Sequence, residues 1–241
     1  MKYYEDLKKR LQEVASKENI GQESITVVSA YTLKAEEAIG NPERKDYPLL
    51  KGKEFMIEAT FIESRGQAYT DMPGNYQGSL DEVITLPLSN HFHTAIFIAT
   101  LNAVMRHFNL VPKTVHCKDK EPGICASELP EYISKRYGKP KISLVGYQPA
   151  MAAALTKCFP LRILDLDLQN IGQEKSGTLI EGPEKTEEVL AWSDLILATG
   201  SALVNTSLEK FLGNKPVIFY GVTIAGVTAL YGYQRYCPYS H

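Results

Sequence analysis

Apolar positions recur at three- and four-residue spacing at the start of the chain. Tyr4, Leu7, Leu11 and Val14 share one face of a helix, leaving Lys8, Lys9, Arg10 and Glu13 to water, and Gly21 supplies the stop. The pattern then shortens. Residues 24–33 (SITVVSAYTL) are rich in β-branched side chains and predict a strand, and 53–62 (KEFMIEATFI) alternate well enough for a second. Between them Gly40, Asn41-Pro42 and Tyr47-Pro48 read as turns. Residues 64–80 carry three glycines, a proline and many hydrogen-bonding side chains, which predicts a third short strand plus a functional loop. Val83 to Leu88 leads to Ser89-Asn90, good N-cap chemistry, and then to a helix over 93–108 (HTAIFIATLNAVMRHF). That helix is apolar nearly all round and is expected between two layers. The first 108 residues thus read as a small α+β unit.

The grammar changes near residue 140. Strand runs at 141–146, 161–167, 194–200 and 216–221 alternate with helical segments. One helix starts at Pro149 and another covers 183–192. A third is expected to open on a capping box, Thr206-Ser207-Leu208-Glu209, and close at Gly213. This alternation predicts an α/β fold with a parallel sheet and helices on both faces. Residues 109–140 join the halves, with a helix expected over 125–138. The division expected is 1–108 and 109–241.

With 26 Lys and Arg against 28 Asp and Glu, the formal net charge is −2. That balance argues against a nucleic-acid partner. The N-terminus is charged and has no apolar core of a signal, and the run Ala95–Met105 falls short of the roughly 18–20 residues that span a bilayer. A cytoplasmic protein with four reduced cysteines is expected, and a homodimer is the base-rate assembly.

Ligands of an open parallel sheet bind beyond the carboxyl ends of its strands. Four loops are therefore nominated. Gly146-Tyr147-Gln148-Pro149 opens a helix whose free N–H groups would favour an anion, although Gln148 and Met151 stand where a dinucleotide fingerprint needs glycine. The second loop carries Asp165, nineteen residues after Gly146, and Asp167. At i and i+2 of a strand these acids would point the same way, to meet a hydroxyl or share a cation. The third is 199–206, with Thr199, Gly200, Ser201 and Asn205, and the fourth is Gly221-Val222-Thr223. None holds a general-base histidine or a Ser–His–acid arrangement. His91, His93, His116, Cys117 and Cys125 lack the paired spacing of a closed zinc site. Asn102, inside the apolar helix, is expected to satisfy a buried backbone group.

Taken in order, RGQAYT (65–70), Leu101-Asn102-Ala103, GYQP (146–149), ATGSALVNTSLE (198–209) and Gly221-Val222-Thr223 resemble the putative heavy-metal chelation family. The resemblance spans nearly the whole chain. It implies an enolase-N-terminal-like domain followed by a Rossmann-like domain, a cleft between them, and a role in binding or chelating a metal. It implies ligand contacts from Tyr147, Gln148, Thr199, Ser201, Asn205 and Thr223, with RGQAYT as the facing wall. The hydroxyls, amides and carboxylates there suit Mg²⁺, Ca²⁺, Mn²⁺ or oxyanions better than soft metals.

The reading that follows is a two-domain protein whose cleft binds a small polar ligand, a divalent metal or a metal complex. The helix starts at 149 and 206 would present donors to an anionic group, with Asp165 or Asp167 holding a hydroxyl or cation. The competing reading is an enzyme using S-adenosylmethionine or a dinucleotide in transferase or lyase chemistry. A third is a scaffold whose loops are only structural.

Overall fold

The computed structural model describes residues 2–17 and 27–241. The expected stop at Gly21 and the first residues of the 24–33 strand lie outside the described residues. Helix α1 (Lys2–Lys17) buries Tyr4, Leu7 and Leu11 of the expected face, with Ala15 buried beside them and Val14 only half-buried. An antiparallel sheet follows, built from β1 (Val27–Leu33), β2 (Phe55–Phe61), β3 (Ser64–Thr70) and β4 (Tyr76–Ser79) in the order β3-β2-β1-β4.

Three local readings change here. The stretch 34–50 holds a short helix, α2 (Ala35–Ile39), and a 3₁₀ turn at Pro48–Lys51 as well as its turns. The stretch 64–80 is mostly strand. Its polar residues are paired inside: Gln67 Nε2 donates to buried Glu58 at 2.7 Å, and Gln67 Oε1 accepts from the His116 N–H at 2.7 Å. The apolar residues after Gly78 belong to α3 (Leu80–Thr85), capped reciprocally by Ser79 and Glu82.

Helix α4 (His91–His107) starts at Asn90, whose side chain accepts from the His93 N–H. Every residue from Thr94 to Met105 is buried. One side packs on β2 and β3, and the other reaches α8 (Ala225–Tyr231). Gly66 permits this approach, because a Cβ there would sit 2.2 Å from the Ala103 backbone nitrogen. Helix α5 (Glu121–Tyr137) begins four residues before the expected start and carries Pro130 within it.

The second sheet has the order β11-β10-β9-β5-β6-β8-β7. It comprises β5 (Ile142–Val145), β6 (Leu161–Leu164), β7 (Glu174–Lys175), β8 (Thr178–Glu181), β9 (Leu195–Thr199), β10 (Val217–Tyr220) and β11 (Gln234–Tyr236). All pairings are parallel except β7 with β8. The strand alternation is expressed on two faces. Ile142, Leu144, Leu195, Leu197 and Ile218 join α5 and α6 (Pro149–Leu155) in one core. Val145, Ile196, Ala198 and Phe219 join α4, α7 (Thr186–Trp192) and α8 in the other. Both cores also contain residues of the first sheet, such as Met56 and Ile57. Short strands β7, β8 and β11 carry too few residues for a period to show in the sequence.

The capping box at Thr206 does not form. Thr206 adopts a left-handed φ of 61°, and the following turn is a 3₁₀ segment, Leu208–Phe211, with no side-chain cap. Asn205 Oδ1 accepts from the Ser207 N–H at 3.1 Å, so this side chain turns the chain instead. Among the described residues no helix is long and apolar enough to cross a membrane.

Candidate functional site

The carboxyl ends of β5, β6, β9 and β10 open onto a cavity of about 540 Å³. All ten residues expected to contact a ligand line it: Gly146, Tyr147, Gln148, Asp165, Asp167, Thr199, Gly200, Ser201, Asn205 and Thr223. The first sheet and its flanks close the opposite side through Lys53, Glu54, Tyr69, Thr70 and Asp71. Of the RGQAYT segment, only Tyr69 and Thr70 reach the space. Its Arg65 lies 3.7 Å from Glu58, and Gly66 packs on α4.

Each loop has its own internal logic. Gly146 sits at φ 86°, and a Cβ there would lie 2.8 Å from Thr199 Cγ2, so glycine lets β5 and β9 end side by side. The Tyr220 hydroxyl donates to the Gly146 carbonyl at 2.7 Å. Burial, then the nearby Asp165 charge, pushes this phenol up, so it stays a donor. Gln148 caps α6 with its own side chain, accepting from the Met151 N–H. With that donor occupied and no helix starting at 206, the two-ended anion cradle expected from the sequence is not built.

The pair of acids is arranged differently from expectation. Strand β6 ends at Leu164, so Asp165 and Asp167 lie in the loop beyond it, and strand alternation does not align them. Asp165 accepts from the Tyr147 N–H at 3.0 Å, the Asp167 N–H at 2.9 Å and Asn170 Nδ2 at 3.2 Å. Asp167 accepts from the Gln169 N–H at 2.9 Å and is bridged to Lys53 across the cavity. Burial pushes the Asp167 carboxyl up, but the Lys53 bond, the Gln169 N–H and the charges of Lys53 and Lys175 together more than offset this and hold it below the usual range. Through these bonds the two acids organise the loop. Thr223 is buried, and its hydroxyl accepts from the Tyr69 N–H at 3.0 Å, tying β3 to the loop after β10.

Three features go beyond the sequence reading, which weighed His116, Cys117 and Cys125 only as zinc ligands. Glu54 lines the cavity beside Asp165, Asp71 and Asp167; burial first, then those charges, push its carboxyl up to about 7. His116 Nε2 lies 3.0 Å from the Tyr69 hydroxyl, while its Nδ1 is buried without a partner among the described residues, and burial pushes the imidazole down to about 4. Cys117, Cys125 and Cys237 line the same cavity, 120 positions apart in sequence between first and last. Burial, then the neighbouring thiols, pushes Cys117 up, and burial does the same to Cys125, so both are protonated thiols. The expectation of a purely hard donor set is thus corrected: oxygen donors line one part of the cavity and sulfur another. No three His, Cys, Asp or Glu are grouped to hold a metal ion among the described residues. His93 faces elsewhere, with Nδ1 donating to the Pro87 carbonyl, whereas His91 lies 2.7 Å from Asp71 at the cavity wall.

Residues 131–232 match the family described as putative heavy-metal chelation. A protein of unknown function from that family in Pyrococcus horikoshii, solved at 2.70 Å, is similar in fold. Its TM-score is 0.51 at 13% identity, over 91% of this chain and 78% of that one. A second family member of unknown function, from Desulfitobacterium hafniense, aligns at 17% identity over 74% of each chain with a TM-score of 0.49. No protein of curated function matches the chain. The resemblance read from GYQP and ATGSALVNTSLE is therefore borne out over residues 131–232, the stretch of this chain that matches the putative heavy-metal chelation family.

Proposed function

We propose that the chain binds a small polar ligand, such as a metal complex, in the cavity between its two sheets. The observation that carries this reading is convergence. Ten polar and glycine positions from four separate loops meet in one space, with a second wall from the first sheet. A cavity of several hundred Å³ is of the size that holds a small molecule. Its mixed oxygen and sulfur lining, with no three donors grouped on one point among the described residues, favours a metal brought in by its own chelator over a bare ion. Tyr147, Gln148, Thr199, Ser201 and Asn205 would contact that ligand, and Asp165 would hold the loop that carries them. In this reading residues 1–108 and 109–241 are separate domains, and the cavity is the cleft between them.

A thermal-shift screen against divalent metals, metal chelates, nucleotides and S-adenosylmethionine tests the proposal through linked stabilisation. A rise with one chelate class, lost in Asn205→Ala, is the expected result. Elemental analysis of the untagged protein identifies any metal carried through purification. A rise with an adenine cofactor alone transfers the site to the enzyme reading. Stability indifferent to every probe refutes ligand binding here.

A further inference from the structure

Glu54 occupies a place that none of the loops explains. A smaller space of about 110 Å³ adjoins the main cavity, and Gly146, Asp165, Thr199, Ser201 and Asn205 line both. Glu54 also lines both, and it alone among the lining residues of the smaller space comes from the first half of the chain. It therefore stands at the neck where the two spaces meet.

Its carboxyl has no protein hydrogen bond or ion pair among the described residues, only burial and the charges of Asp165, Asp71 and Asp167. Those three neighbours are provided for. Asp165 accepts three N–H donors, Asp167 is bridged to Lys53, and Asp71 lies 2.7 Å from His91 Nδ1. Tyr69 and Tyr220 face the same region with phenols that stay protonated, since burial is the largest influence on both. Lys210 also lines the smaller space. Glu54 is half-buried, so its unpartnered carboxyl is open to whatever occupies the cavity, and perturbed carboxyls of this kind cluster at functional sites.

We propose that Glu54, unpaired among the described residues where the two spaces meet, is the anchor of the cleft, and that the ligand it receives presents a protonated nitrogen, such as an ammonium or amidinium group. An anionic group at this point would face up to four carboxylates, whereas a cationic nitrogen would pair with Glu54 and leave the other pairs intact. The inference rests on the cavity being the ligand site and names the chemistry that site selects. Binding requires the ionised carboxylate, so Glu54 releases its proton to solvent as the cation enters. With the carboxyl titrating near 7, affinity for a permanently charged cation rises with pH and levels off above that value.

The test uses methylguanidinium and ethylammonium as cationic probes, with acetate and phosphate as anionic ones. Binding to the full chain is followed by amide shifts of Gly146, Gly200 and Asn205 between pH 5 and 9. The cations are expected to saturate, with affinity falling roughly tenfold for each pH unit below the midpoint. Glu54→Gln should weaken the cations and flatten the profile. Asp165→Asn keeps Glu54 but removes the strongest charge repulsion acting on it, and should move the midpoint to lower pH. That variant tests the assignment even if Glu54→Gln fails to fold. Anions that shift these amides while cations do not overturn the cationic class and leave the cleft a binding site. An unchanged pH profile in a folded Glu54→Gln, or an unmoved midpoint in Asp165→Asn, overturns the role of Glu54. If no probe of either sign shifts these amides, both this inference and the binding reading fall.

Discussion

Asn102 is the side chain whose removal should do most to separate the two sides of the cleft. It is fully buried in α4. Its Nδ2 donates to the carbonyls of Gln67 at 2.9 Å, Val222 at 3.1 Å and Thr223 at 3.1 Å, and its Oδ1 accepts from the Gly226 N–H at 2.7 Å. An amide has two N–H bonds, so one of them is shared by two carbonyls. Asn102→Ala leaves the Gly226 N–H and two or three carbonyls short of a partner in a core closed to solvent. At about 1–3 kcal/mol for each buried group left unsatisfied, and less for carbonyls with a second partner, the expected loss is about 3–5 kcal/mol. That is a large fraction of the stability of an ordinary domain, about 5–15 kcal/mol. Asn102→Asp sharpens the test. It preserves volume and the acceptor for Gly226, but it turns a carboxylate oxygen toward three carbonyl oxygens. Its penalty should be greatest at neutral pH and ease in acid, where a protonated carboxyl donates again. Urea unfolding followed by far-ultraviolet circular dichroism measures both. A loss under about 1 kcal/mol in Asn102→Ala, or pH-independence in Asn102→Asp, would refute this account of the pin.

Gly66→Ala should destabilise by several kcal/mol or prevent folding, because the added methyl meets α4 backbone rather than a mobile side chain; thermal unfolding reads it. Lys53→Ala removes a partly exposed bridge to Asp167 and should cost about 1 kcal/mol or less, measurable by the same unfolding curves. Glu54 and His116 should oppose each other in the pH profile of stability. Glu54 holds its proton more tightly when folded, so its contribution is full below the ordinary carboxylate range and is lost as pH rises toward about 7. His116 is kept neutral when folded, so its contribution is full above about 6.5 and is lost as pH falls toward about 4. Each amounts to about 3 kcal/mol at most, at about 1.36 kcal/mol for every tenfold difference in proton affinity between the folded and unfolded chain. Glu54→Gln should therefore unmask a stability that climbs from about pH 4 to 6.5, and a flat profile in that variant would count against a neutral buried His116.

Periodicity was enough to place α1, α4 and the strands at 142–145, 161–164, 195–199 and 217–220, because each repeats its burial pattern over enough residues to be seen. It was enough to name ten lining residues as well, since strand ends in a parallel sheet converge whatever their sequence. It failed where a side chain acts locally in a way that several geometries permit. Thr206-Ser207-Leu208-Glu209 reads as a capping box, yet the Asn205 side chain turns the chain first and Thr206 goes left-handed.

What the sequence determined alone was the order of elements, the buried helix between layers and the family that residues 131–232 resemble. Those follow from local spacing and from motifs that lie contiguous in the chain. Only the tertiary structure decided what the cavity is made of. Glu54, His116 and Cys237 carry no local signal, because each gains its character from neighbours far away in sequence. Glu54 is an ordinary acid after a lysine until Asp165 and Asp167 are folded against it. Burial and the field of distant charges are properties of the assembled chain, and these decide the chemistry of the cleft.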